Sequence, residues 1–527
     1  MAVRVPRTTG RPARPPGSTV HPVEPVAVPG ATSLATAPGV AVPGVAVPGV
    51  AVPGVAVPGM AVPGMAAVPV PVGPPVPVPV GPPVVAGDVL AVLRRHVLVD
   101  GLDVVCDLAE SAGSVLVDAR DGRRYLDLYS FFASAPLGVN PPELAGDPRF
   151  VDRLGRVAVN KPANPDIATA AYAEFVRTFA RVLGDPELPH LFFVEGGALA
   201  VENALKCAFD WKSRHNAAHG RPARLGRRVL HLRHAFHGRS GYTLSVTNTD
   251  PVKTDRFPVF DWPRIDCPAM TFPCTGAALD AVVAAERAAL AQAEAAFAAH
   301  PHDIACFLAE PIQGEGGDNH LRAEFLAAMA ALCLRHDALF VLDEVQTGVG
   351  ATGSAWAYQQ LGLRPDIVAF GKKVQLGGIM AGRRVDEVAA NVLAVPGRIS
   401  STWGGGLVDM VRATRILEVI EARGLIGRAG ELGAGLLTEL TALAAAHPRL
   451  LTNPRGRGLL CAVDLPDRAT RDEVLRRLRV REHVLALPAG VCTLRFRPAL
   501  TVSADQLSTG VTALARVVAG LAEGSPV

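Results

Sequence analysis

The chain carries almost no excess charge: 52 basic side chains against 49 acidic ones leave a formal +3 over 527 residues. Even that excess is local. Four arginines (Arg4, Arg7, Arg11, Arg14) and one acid, Glu24, precede residue 86, so the rest of the chain is formally neutral. A body without a positive field argues against nucleic acid as a partner. Ligand spacing for a zinc ribbon is missing as well. The eight cysteines (106, 207, 267, 274, 306, 333, 461 and 492) include no CxxC pair and keep no regular interval. That pattern excludes a disulfide framework and fits reduced thiols in a cytoplasmic protein. Also missing is an uninterrupted apolar run near the start. Residues 36–65 read TAPGV, AVPGV three times and AVPGM twice, and 21 of the 45 prolines fall before residue 84. A proline every five residues removes donors and breaks helices, which excludes a membrane span and a secretory signal. Recurring Pro-Gly turns predict a disordered, elastin-like extension over 1–87. Met60 and Met65 are alternative starts.

From residue 88 onward the pattern is that of a globular protein. Roughly 440 residues exceed one core and predict two or three packed domains. Residues 88–96 read as a short helix, and 114–118 and 124–129 as strands joined by the turn Asp121-Gly122. A helix is expected over 165–183. Then buried apolar runs alternate with helical patterns. Strands are expected at 191–194, 228–232, 304–310, 338–345 and 366–370, with helices at about 198–212, 275–299 and 322–336. This order predicts an α/β domain with a mostly parallel central sheet. Beyond residue 397 come helices at 407–422 and 428–446, a hairpin-like stretch GRGLLCAVDLP and a helix near 504–522, which predict a smaller α+β domain.

Several motifs suggest chemistry. Gly348 to Gly353 match GxGxxG, but Asp366, the acid at the right distance, begins its strand where a dinucleotide site needs it at the end. His231, His234 and His237 lack an interleaved acidic ligand, so polar or stacking roles suit them better than zinc. Asp343 and Lys372 form a more coherent pair. Asp343 closes the apolar run Phe340-Val341-Leu342, and Lys372 comes after the next strand, beyond Phe370 and Gly371. Ligands bind at such strand ends in α/β sheets. A lysine amine and a carboxylate facing one crevice suit pyridoxal phosphate: the amine forms an imine, and the carboxylate keeps the pyridine nitrogen protonated. Lys373 is a rival for the amine role. Glu195-Gly196-Gly197-Ala198 lies between a strand and a helix, where backbone N–H groups can meet a phosphate; a plain turn is the alternative.

The stretches FFVEGGALAVENALK, FHGRSGYT, AEPIQGEGG, FVLDEVQTGVG, PDIVAFGKK, STWGG and RFRPALTV occur in that order. Over about residues 90–520 the chain resembles the class III pyridoxal-phosphate aminotransferases of fold type I. HGRSGYTLSVTNTDPVKTDRFPVFDWPRI, EGGDNHLRAEF and GKKVQLGGIMAGRRVDEV make it most similar to the actinobacterial lysine ε-aminotransferases. The resemblance implies a large domain with a mostly parallel seven-stranded sheet between helices, plus a smaller α+β domain. Expected boundaries are 88–160 for the N-terminal segment of the small domain, 161–396 for the cofactor-binding large domain, and 397–527 for the C-terminal small domain.

The resemblance also implies roles. Lys372 would hold the cofactor, Asp343 would face the pyridine nitrogen, and Gln346 would approach the phenolic oxygen. Phe236 would stack on the ring, with His237 beside it. Gly197 and Ala198 would bind phosphate, and Thr402 would reach the phosphate of a neighbouring subunit in a homodimer. Arg239 would hold the α-carboxylate of L-lysine and Arg495 that of 2-oxoglutarate. Glu315, paired with Arg495, would mask that charge while lysine is bound. The implied reaction moves the ε-amino group of L-lysine to 2-oxoglutarate. Lysine breakdown and supply of an aminoadipate precursor for β-lactam antibiotics both suit it. The chain departs from the family pattern at Ser400, where asparagine is usual, and at Gly406, where the family has GGN. Ser400 is nonetheless counted among the substrate contacts. A different ω-aminotransferase, acting on ornithine, 4-aminobutyrate or a diamine, would share every cofactor residue. A scaffold whose working part is the repeats is the non-catalytic alternative. Deletion of residues 1–85 is expected to leave turnover intact.

Overall fold

The computed structural model describes residues 81–522. The extension expected over 1–87 lies, up to residue 80, outside the described residues. Seven strands make the central sheet: β1 (His190–Val194), β2 (Arg228–Leu232), β3 (Arg264–Ile265), β4 (Ile304–Ala309), β5 (Leu339–Asp343), β6 (Ile367–Phe370) and β7 (Gly377–Ala381). Their spatial order is β1-β7-β6-β5-β4-β2-β3. Pairing is parallel from β6 through β5, β4 and β2 to β3, and β7 runs antiparallel to both its neighbours. β3 and β7 are the two strands that apolar runs alone do not reveal.

Every residue of β4, β5 and β6 is buried. Continuous apolar strands of this kind require cover on both faces. Alternate side chains point to opposite sides. Phe307, Phe340, Leu342, Val368 and Phe370 pack in one core with Phe175 and Phe179 of α1 (Ala170–Val182). Cys306, Leu308, Val341, Ile367 and Ala369 pack in the other with Ala200, Val201, Ala204 and Trp211 of α2 (Gly197–Ala218). α2 runs six residues past its expected end because Lys212 is buried, with Nζ donating to the carbonyls of His336 (3.1 Å) and Asp337 (2.6 Å). Phe370 meets Phe179 at 4.9 Å and Phe193 and Trp356 at 6.0 Å between ring centroids. Truncating such a ring to alanine costs about 3–5 kcal/mol, and Phe370 stands two residues before Lys372.

Helices α3 (Ala277–Ala299) and α4 (Ala323–Arg335) match their expected spans, as do α5 (Leu407–Ala422) and α6 (Leu425–Ala446) to within three residues. The hairpin-like stretch opens a four-stranded antiparallel sheet, β8 (Thr452–Arg457), β9 (Leu460–Asp464), β10 (Leu487–Ala489) and β11 (Thr493–Phe496), in the order β8-β9-β11-β10. Val115–Val117 pairs antiparallel with Arg124–Asp127, which pairs in parallel with Val484–Leu485. The segment 348–353 is a packing turn. Ala351 O accepts from Leu459 N at 2.9 Å, and a Cβ on Gly353 (φ +90°) would stand 2.9 Å from Gly430 Cα. Asp366 accepts from Phe340 N at 2.9 Å and fastens β5 to β6. Among the described residues no helix is long and apolar enough to cross a membrane.

Candidate active site

Register brings the two key residues to one edge. Ala369 of β6 is the Cα partner of Asp343 at the end of β5, and Glu344 N donates to Ala369 O at 2.9 Å. Lys372, three residues beyond Ala369, therefore leaves its strand over the same edge. A cavity of about 290 Å³ opens there. Asp343, Lys372, Gln346, Phe236, His237, Arg239, Glu315, Gly197 and Ala198 all line it. Nine of the twelve expected site residues thus share one cleft.

The two adjacent lysines part company. Lys372 sits in a left-handed conformation (φ +51°) and reaches the cavity. Lys373 is buried, and its Nζ donates to Gln346 O at 2.7 Å. Burial, with Arg495 nearby, lowers the Lys372 amine to about 8, against the opposing pull of Asp343 and Glu310. Asp343 Oδ2 is bonded to His237 Nδ1 at 2.7 Å, and Oδ1 accepts from Val345 N at 3.0 Å. His237 thus contacts the carboxylate, a more definite placement than beside the ring.

Gly196 (φ +86°) turns the chain from β1 into α2, whose first residues are Gly197 and Ala198. A Cβ on Gly197 would lie 2.7 Å from Val345 Cγ1, so the cleft floor at this point is bare backbone. Backbone N–H groups at the start of a 22-residue helix suit a phosphate. Phe236 supplies a half-buried ring on the cavity wall. Arg239 is exposed and has no ion pair or hydrogen-bond partner among the described residues. A carboxylate, an amine, an anion cradle and an aromatic ring around one cavity fit pyridoxal phosphate. The buried Nε2 of His237, which has no protein partner among the described residues, also leaves a donor or acceptor for a bound group.

Arg495 stands just behind this wall. It is buried, its Nη1 donates to Gln346 Oε1 at 3.1 Å, and burial with Arg497 alongside lowers it to about 10. Gln346 Oε1 also accepts from Arg497 Nε at 3.0 Å. The Glu315–Arg495 ion pair, expected while lysine is bound, is not among the contacts here. Glu315 Oε1 pairs instead with Lys253 Nζ, because the turn carrying Lys253 brings a second cation against it. Thr402 and Ser400 lie on an exposed turn and do not line this cavity. The three histidines separate: His231 is buried beside Arg264 and lowered to about 3, chiefly by burial, while His234 is exposed.

Sequence reasoning overlooked Glu310, Arg497 and Lys253. Glu310 lines the cavity and is 5% exposed; its two oxygens accept from Phe236 N and Gly314 N, both at 3.0 Å. Burial raises this carboxyl to about 7, opposed by His237. Arg497, 1% exposed, pairs with Asp318. The motifs AEPIQGEGG and RFRPALTV contain Glu310 and Arg497, yet only the fold shows what they touch.

The family model described as aminotransferase class III matches residues 99–518. An L-lysine-epsilon aminotransferase of Mycobacterium tuberculosis is 63% identical over 423 residues, covering 80% of this chain and 93% of that protein. One of Amycolatopsis lactamdurans is 63% identical over 435 residues, covering 82% and 96%. A solved lysine aminotransferase from M. tuberculosis superimposes with a TM-score of 0.81 at 62% identity, covering 82% of this chain and 99% of that one.

Proposed function

The chain belongs to the class III aminotransferases, and from that premise we propose that it moves the ε-amino group of L-lysine to 2-oxoglutarate. The products are 2-aminoadipate 6-semialdehyde and L-glutamate, formed in two half-reactions of a ping-pong cycle. The cofactor is pyridoxal phosphate. When bound, it supplies an electron sink for the electrons left when a proton leaves the amine-bearing carbon.

Each residue has a defined part in this reading. Gly197 and Ala198 bind the phosphate by backbone N–H. Phe236 would cover the cofactor ring, and Gln346 would approach its phenolic oxygen; both line the cavity. Asp343, steadied by His237, would keep a proton on the pyridine nitrogen by placing a negative charge beside it. Lys372 would hold the cofactor, and its amine, once free, would be the general base that takes the proton from the amine-bearing carbon of the substrate. Arg239 takes lysine's α-carboxylate as a two-pronged donor, which leaves the ε-amine directed at Lys372. Arg495 takes the α-carboxylate of 2-oxoglutarate, and Glu315 masks it during the lysine half-reaction.

The observation that carries the proposal is the shared cleft of Asp343, Lys372 and Arg239, the last without a partner among the described residues. Thr402 and Ser400 stand on an exposed turn beside Trp403, itself 40% exposed. This supports a homodimer in which Thr402 completes the neighbour's phosphate site and Ser400 borders its substrate. Free cysteines support a cytoplasmic location. The division at 88–160, 161–396 and 397–527 is part of the same reading, supported by the sheet that joins Arg124–Asp127 to Val484–Leu485. Both lysine breakdown and precursor supply for β-lactam antibiotics are compatible with it. A coupled glutamate assay over L-lysine, L-ornithine and 4-aminobutyrate tests the substrate. Lysine should be turned over fastest; ornithine far ahead of lysine would assign the chain to a different ω-aminotransferase.

A further inference from the structure

Lys253 ends a short helical turn, Pro251–Lys253, that is capped by Asp250. Its Nζ donates to Thr249 Oγ1 at 2.8 Å, pairs with Glu315 Oε1, and lies 5.3 Å from the ring centroid of Phe236. The lysine side chain is 12% exposed and the glutamate 31%. On the other side, Glu315 Oε2 and Arg495 Nε are both buried without hydrogen-bond partners among the described residues. Two opposite charges bordering one cleft thus each keep an unused hydrogen-bonding position.

The backbone around Glu315 is held. Its carbonyl accepts from Gly490 N at 2.9 Å, and Arg455 donates to the carbonyls of Gly317 (2.6 Å) and Asp318 (2.9 Å). Any change of partner therefore falls to the Glu315 side chain. We propose that Lys253 is the positioning residue that draws Glu315 away from Arg495, so that Arg495 is free for the α-carboxylate of the dicarboxylate substrate. This rests on the reading that one cleft serves both lysine and 2-oxoglutarate. An exchange between two cations keeps the Glu315 carboxylate paired in either position, which avoids the cost of a lone buried charge. A bound ligand then needs only a modest differential affinity to choose between the two positions. Without Lys253, Glu315 loses the cation that holds it away from Arg495, and a dicarboxylate must displace it from Arg495.

The experiment uses the holoenzyme and the variants Lys253→Met, Lys253→Gln and Lys253→Arg. Glutarate, a dicarboxylate with no keto group and therefore unreactive, is titrated calorimetrically. The lysine and 2-oxoglutarate half-reactions are monitored separately by stopped-flow absorbance. Lys253→Met and Lys253→Gln should bind glutarate roughly ten-fold more weakly, the loss expected for one partly exposed charge-assisted bond. The 2-oxoglutarate half-reaction should weaken in parallel, the lysine half-reaction should persist, and Lys253→Arg should restore glutarate affinity. Equal glutarate affinity in wild type and both neutral variants overturns the proposal. An equal loss for lysine and glutarate also overturns it, since that marks general damage to the cleft. A wild-type enzyme that neither binds glutarate nor transaminates lysine overturns the two-substrate reading itself, and the role of Lys253 with it.

Discussion

His237 Nδ1 lies 2.7 Å from Asp343 Oδ2, with the histidine side chain fully buried and the aspartate 4% exposed. The contact links the loop after β2 to the end of β5 across 106 residues of sequence. With Val345 N on the other oxygen, it fixes the carboxylate plane at the cleft floor. Each carboxylate oxygen retains a lone pair for a ligand.

Loss of this partner should be visible in the chemistry. His237→Ala removes a buried bond to a charged group, worth about 1.5–3 kcal/mol. If that energy orients Asp343 in the transition state, kcat/KM for lysine falls roughly 10- to 100-fold. Steady-state kinetics with a matched cofactor titration checks this. A normal kcat with weaker cofactor binding alone would restrict His237 to holding the cofactor.

The adjacent lysines should separate cleanly. Lys372→Ala should lose the borohydride-sensitive absorbance and fall in turnover by at least about 10²–10⁴-fold, the range of a general acid–base group. Lys373→Met should keep the absorbance, because its amine is bonded to Gln346 O and is held away from the cavity. Absorbance spectra before and after borohydride decide between them.

How far the sequence could see depends on the kind of feature. Asp343 and Lys372 were legible because a continuous apolar run that stops at a charged residue marks a sheet edge. The choice between Lys372 and Lys373 was not, since it rests on the left-handed φ of +51° at Lys372. β7 was missed because GGIMA is short and glycine-rich, and β3 because it is two residues long. Ser130 to Ala133 form a left-handed turn with four consecutive positive φ values. No glycine announces it; Asp127 Oδ1 accepts from Tyr129 N and Ser130 N, and Ser130 Oγ donates to Arg497 O at 2.6 Å. The Arg495 partner of Glu315 was implied by the resemblance, whereas the contact with Lys253 depends on how the 249–253 turn folds against the cleft, which no spacing reveals.

Glu310 should leave a mark on the pH dependence of stability. Its carboxyl is raised to about 7 in the folded protein, against about 4.3 when unfolded. Between those values the folded state holds the extra proton, so this group's contribution to stability falls as pH rises from about 4.5 to 7. Glu310→Gln cannot ionise. Its melting temperature relative to wild type should therefore improve from pH 5 to pH 8 in paired thermal scans. A difference that does not change with pH would refute the assigned titration.

Arg239 should set the preference for an amino acid over a plain diamine. Arg239→Met should weaken kcat/KM for lysine roughly 10- to 100-fold, the value of one charge-assisted pair. Pentane-1,5-diamine has the same amine but no carboxylate, so its kcat/KM should change little. Arg239→Lys should recover only part of the loss, since an ammonium cannot make the two-pronged contact. Parallel losses for both substrates would move the carboxylate-binding role away from Arg239.

Thr402 offers a test of the proposed homodimer with shared sites. Its turn is exposed and outside the cavity of its own chain, so its hydroxyl serves a neighbour's phosphate or none. Under that proposal Thr402→Ala would remove one bond to a charged group, and cofactor affinity should drop about ten-fold. Lys372→Ala inactivates the chain's own cleft. In a mixed dimer of one Lys372→Ala protomer and one Thr402→Ala protomer, both lesions then fall in the same site. The other site has an intact Lys372 and receives an intact Thr402. At limiting cofactor, differently tagged mixed dimers should therefore have about half the wild-type activity, more than either parent homodimer. If Thr402 acted within its own chain, each site of the mixed dimer would carry one lesion and no such recovery would appear.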